Sequence, residues 1–86
     1  MNIEFTGRFE KNENFGINFY AKVNADTVTC VISTEALQDI NPSRRGDDVI
    51  SQFLSNKKRF ESIARNKILK NEIIDGEVRI NQTNVV

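Results

Sequence analysis

The chain has 86 residues, twelve basic and twelve acidic, with no histidine, no tryptophan and one cysteine. A chain this short reads as a single domain over 1–86 and buries only about 60–65% of the surface its unfolded form exposes, so its core must be economical. Low Gly, Pro and Cys counts exclude collagen-like, low-complexity and disulfide-scaffold classes, and no apolar run approaches the ~18 residues of a membrane span. The N-terminus carries Glu4 and no apolar stretch, so it does not read as a secretory signal. A lone thiol suits a reducing compartment, and a cytoplasmic location is expected. Net charge is zero but unevenly placed: −3 over residues 1–48, +5 over 49–71 and −2 over 72–86. The neutral whole argues against a general polyanion binder, while the local excess leaves a specific basic face open.

In chain order, Ile3 and Phe5 alternate with polar neighbours as a short strand. Residues Gly7 to Asn14 read as an exposed polar loop, with Phe9 tucked under the sheet edge. From Phe15 to Val23 the odd positions Phe15, Ile17, Phe19, Ala21 and Val23 are apolar, the period of a half-buried strand. Asn24-Ala25-Asp26 supplies a turn, because Asn and Asp tolerate left-handed backbone. Val28, Cys30 and Ile32 then face inward on a second hairpin arm, Thr27 to Ile32.

Ser33 is placed to N-cap a short helix that carries Ala36, Leu37 and Ile40 and stops before Pro42. After the linker Asn41 to Gly46, the longest pattern in the chain predicts one amphipathic helix over Asp47–Lys70. At 100° per residue, Val49, Phe53, Phe60, Ile63 and Ala64 share one arc, with Ile50 and Ile68 on its flank. Asp47 or Asp48 caps it, and Asn71 suits a left-handed C-terminal exit. Asp75-Gly76 is a turn signal before a last strand containing Val78 and Ile80. Ile73-Ile74 reads equally as a hairpin arm or as the helix exit, and the tail 82–86 reads as frayed beyond an ordered core of about 2–81. The expected fold is α+β in two layers, β-β-β-α-α-β: a small antiparallel sheet of about four strands, covered on one face by a short and a long helix.

Placed this way, the residues resemble a small bacterial family of domains of unknown function, DUF1488. The resemblance runs through Ile3, Phe5 and Arg8, then Phe19 and Ala21, and the stretch Cys30-Val31-Ile32-Ser33-Thr34-Glu35-Ala36-Leu37. It is densest at Phe53, Asn56, Lys57, Arg59, Phe60, Glu61, Ile63, Ala64 and Ile68. Members usually carry a Trp in the first loop, where this chain has Phe9, and many turn the hairpin with Asp-Gly rather than Asn24-Ala25-Asp26. The resemblance implies a compact bacterial β-β-β-α-α-β domain and brings no catalytic residues with it.

Without histidine the chain lacks the commonest general base and metal ligand. Cys30 sits in an inward series and reads as a small buried hydrophobe. The acidic groups Asp47-Asp48 and Glu72, Asp75 and Glu77 are explained by capping and turns. No phosphate loop, dinucleotide fingerprint or metal spacing occurs. No catalytic, cofactor or metal site is therefore expected, and the chain reads as a non-enzyme. Candidate contact residues are Asn56, Lys57 and Arg59 where helix meets loop, with Tyr20 and Lys22 on the outer sheet face. Lys57 falls on the buried stripe, so its stem is expected to pack and its ammonium to reach past the sheet, toward Glu61. The function expected is a binding module for a protein partner or for its own copy. The alternative is a nucleic-acid accessory using the basic face of helix 47–70.

Overall fold

The computed structural model describes residues 2–85; Met1 and Val86 lie outside the described residues. Four strands form one sheet in the order β1-β2-β3-β4: β1 Ile3–Lys11, β2 Ile17–Val23, β3 Asp26–Ile32 and β4 Glu77–Ile80. Three helices connect β3 to β4: α1 Thr34–Asp39, α2 Val49–Ser55 and α3 Lys57–Leu69. The fold is α+β, two layers deep. The first three strands are antiparallel neighbours, as alternation predicts, but β4 runs parallel to β3, which makes the sheet mixed. A parallel neighbour requires a long crossover, and the helical layer supplies it.

The core lies between sheet and helices. Ile17, Phe19 and Ala21 of β2, Val28, Cys30 and Ile32 of β3, and Val78 and Ile80 of β4 are buried there with Leu37, Phe53, Phe60, Ala64 and Ile68. Ser33 caps α1 by accepting from the Ala36 N–H at 3.1 Å, and Asp48 caps α2 by accepting from the Ser51 N–H at 2.9 Å. That hydrogen bond from the Ser51 amide is the main reason the Asp48 carboxyl titrates below the usual carboxylate range.

The single helix expected over Asp47–Lys70 is two helices. The chain breaks at Asn56, whose backbone (φ −126°, ψ 21°) is not helical. The Asn56 side chain donates from Nδ2 to the carbonyl of Gln52 at 3.0 Å, competing with the helical ladder as asparagine does. Size favours the break too. A straight helix of that length spans about 36 Å, against about 23 Å for a seven-residue strand. Broken, the chain lays α2 over β1 and β2 and α3 against β4. Phe53 and Phe60 keep one face across the break, their ring centroids 6.1 Å apart. At its far end α3 exits as expected through Asn71 in the left-handed region (φ 60°), whose N–H donates to the Ile68 carbonyl.

Other departures are local. Instead of an exposed loop after Phe5, β1 continues to Lys11 through a bulge: Phe5 faces Ala21 and Phe9 faces Phe19, so two extra residues are accommodated around Gly7 (φ 83°). Polar edge-strand composition hid this strand. Phe9 is not under the edge but packs on Phe53 at 5.2 Å. Phe15 is not inward; it sits outside β2 with φ 63° and 79% exposure. The Asn12 side chain causes this by accepting from the Asn14 and Gly16 amides and closing the hairpin before Ile17. Asp26 belongs to β3 rather than to the turn, pairing with Val23. Ile74 forms one bridge with Glu77 around Asp75-Gly76. In the tail, Gln82–Asn84 form a 3-10 turn closed by a capping box on Asn81, and Gln82 donates to Asp39. Among the described residues no helix is long and apolar enough to cross a membrane.

Candidate interaction surface

All helices pack on one face of the sheet, so the other face is open. Strand register arranges its side chains in cross-strand rows. One row reads Glu10, Asn18, Val31, Arg79 from β1 to β4. The next reads Tyr20, Thr29, Glu77, with the Arg8 guanidinium 5.8 Å from the Tyr20 ring centroid at the β1 end. A third holds Glu4, Lys22 and Thr27. The Tyr20 hydroxyl donates to the Glu10 carboxylate, and this contact with an anion, aided by desolvation, raises the phenol above its ordinary pKa. Arg79 pairs with Glu77 at 2.9 Å while its side chain stays 73% exposed. A shallow concavity of about 370 Å³ lies over the first row, between Glu10 and Arg79.

The residues singled out from the sequence fall into two groups. Tyr20 and Lys22 share the open face. Asn56, Lys57 and Arg59 lie at the α2–α3 break in the helical layer and have structural tasks there. Arg59 Nη1 donates to the Ile40 carbonyl at 2.7 Å, tying the end of α1 to α3, and Asn56 makes the break itself. Lys57 is half-buried as expected, beside Phe5, Phe53 and Glu61 in a crevice too tight for water. It forms no ion pair with Glu61 among the described residues. Arg8, Glu10, Glu77 and Arg79 are not among the contact residues expected from sequence (Arg8 enters there only through the family resemblance and Glu77 only as a turn acid), because the bulge in β1 and the parallel pairing of β4 place them.

Of the six basic residues behind the +5 segment, three are engaged within the chain: Arg59 on Ile40, Arg65 over the Phe5 ring at 5.2 Å, and Lys67 with Glu72 at 3.2 Å. They reach toward different parts of the fold: the end of α1, β1 and the segment after α3. A cleft of about 460 Å³ opens where β3 and β4 end. Most of its polar groups are already bonded: Asn12 closes the hairpin, Ser33 caps α1, Thr34 donates to the Asn14 carbonyl and Asn81 caps the last turn. No cluster of metal-ligating side chains occurs among the described residues.

Cys30 is fully buried, and burial, with a smaller contribution from Glu61, pushes its thiol up to about 12. The thiol is thus held neutral and inert in the folded state. In the unfolded chain it ionises from about pH 8.5, so the unfolded state binds fewer protons above that pH and stability must fall as pH rises. The expected loss is about 1.4 kcal/mol per pH unit until the folded thiol itself ionises. Urea unfolding at pH 8 and pH 10 should show it as a steeper decline for the wild type than for Cys30→Ala.

The fold has a solved counterpart. A crystal structure at 1.60 Å of a protein of unknown function from Shewanella loihica PV-4, of the DUF1488 family, superposes with a TM-score of 0.75 at 21% identity, covering 93% of this chain and 94% of that one. No curated protein matches the chain. Residues 3–80 match the family described as "Protein of unknown function (DUF1488)", a span that takes in all four strands and all three helices, and the chain belongs to that family.

Proposed function

We propose that this chain is a non-enzymatic binding module whose contact surface is the open face of the sheet and whose partner is a protein. The observation that carries the reading is the uncovered face itself. Four strands present β-branched residues (Thr27, Thr29, Val31), one aromatic ring and charges of both signs, with no helix or loop across them among the described residues. Mixed charge with a central aromatic suits a protein surface, where Tyr and Arg contribute most. Nucleic acid has less support, since half of the basic helical residues are committed within the chain and, among the described residues, Tyr20 is the only aromatic in the cross-strand rows of the face. A photo-crosslinking amino acid placed at Thr29 should form protein adducts in growing cells, and one at Lys58 on the helical layer should not. Absence of any adduct from Thr29 would overturn the reading, and nucleic-acid adducts from Lys58 would favour the alternative.

A further inference from the structure

Resting on that reading, we infer that the partner is a second copy of this chain, packed sheet to sheet about a two-fold axis that runs parallel to the strands between β2 and β3. The pattern of charge along the rows carries the inference. Such an axis keeps each row at its height and exchanges left for right, so β1 of one copy faces β4 of the other and β2 faces β3. In the first row Glu10 then meets Arg79 of the second copy. In the next, Arg8 meets its Glu77. Each contact occurs twice, giving four oppositely charged pairs, while Asn18 faces Val31 and Tyr20 faces Thr29 at the centre. The other in-plane axis, perpendicular to the strands, opposes β1 to β1 and sets Glu10 against Glu4 and Arg8 against Arg8. Of these two axes, the parallel one alone sets opposite charges against each other in the first two rows; in the third, Lys22 faces Thr27 and Glu4 meets no charge.

Two further observations favour this packing. The free edge of β1 is interrupted by its bulge and flanked by Glu4, Arg8 and Glu10, features that discourage strand addition. The internal pair of Arg79 with Glu77 is exposed and weakly held, so both groups can exchange partners across an interface. Four strands about 4.8 Å apart and three rows about 7 Å apart make a small contact. It lies at the low end of specific interface sizes, where association is weak and concentration-dependent.

The test is sedimentation equilibrium of the intact protein from about 10 μM to 1 mM in low salt. The wild type should show a monomer–dimer equilibrium that weakens as salt is added. Arg79→Glu and Glu10→Arg, each checked for a native circular dichroism spectrum, should each weaken dimerisation about tenfold or more by opposing like charges twice. Mixed in equal amounts, the two variants should pair with each other, because every charged contact is then complementary again. A wild type that stays monomeric throughout, or a dimer indifferent to both reversals, overturns the inference. Crosslinking from Thr29 separates this from the broader reading: an adduct of twice the chain mass supports the second copy, an adduct with a different protein overturns it but keeps the binding module, and no adduct removes both.

Discussion

Replacing Phe53 with alanine is expected to destabilise the fold by about 3–5 kcal/mol, the range for removing a buried aromatic. Phe53 is 1% exposed and its ring sits among three others: Phe9 at 5.2 Å, Phe19 at 5.3 Å and Phe60 at 6.1 Å. It is therefore the point where β1, β2, α2 and α3 meet. Domains of this size have total stabilities of roughly 5–10 kcal/mol, so the loss takes a large share. Thermal unfolding should show a Tm lower by about 15–30 °C, at roughly 4–8 °C per kcal/mol. Leu54→Ala is the control: the neighbouring side chain on the same helix is 51% exposed, and its removal should change Tm by only a few degrees. Comparable losses from the two would show that the aromatic cluster is not the centre of the core.

The cluster also shows how far the sequence is legible. Phe53 and Phe60 are visible as core residues because the apolar stripe does not depend on an unbroken helix. A half-turn irregularity at Asn56 leaves the stripe in place. The break is invisible to periodicity because its cause is one side-chain amide bonding the Gln52 carbonyl. The hairpin of β2 and β3 could be read outright, since strict alternation over Ile17–Val23 records a sheet buried on one side only. By contrast, the far half of β1 is written in Gly, Arg, Glu and Lys around a single Phe9, and its strand character comes from pairing with β2. The parallel direction of β4 could not be read either, because Val78 and Ile80 would face the core equally well on an antiparallel strand. Those two misread features set the open face. Tyr20 and Lys22 were within reach of the sequence, whereas the opposed charges at the two sheet edges became apparent only once β1 and β4 were placed.

The second large effect is expected at Gly16, where a single added methyl group meets backbone. A Cβ built there lies 2.0 Å from the Ile32 carbonyl oxygen and 3.1 Å from Asn12 Nδ2. The first contact is not relieved by any rotamer change, because the oxygen belongs to the backbone of β3 at the level where Ile17 pairs with Ile32. The hairpin tip must move away, and it is held by four hydrogen bonds with Asn12: the Gly16 and Asn14 amides donate to its side chain at 2.9 and 3.0 Å, the Phe15 amide donates to its carbonyl at 3.3 Å, and the Asn12 amide donates to the Gly16 carbonyl at 3.0 Å. Gly16→Ala thus sets the β2–β3 register against the tip that begins β2. A loss of about 3 kcal/mol is expected, at the upper end for overpacking in a well-filled site. Urea unfolding should show a clearly lower midpoint, and amide exchange at Gly16 and Ile17 should quicken more than exchange at Ala21. Gly46→Ala is the matched control, since nothing lies within 4 Å of a Cβ there. That change should leave the midpoint unchanged or raise it slightly through lost freedom in the unfolded chain. If Gly16→Ala behaved like Gly46→Ala, the close approach of the hairpin tip to Ile32 would not exist in solution, and the strand register that sets the charged rows of the open face would have to be redrawn from that end.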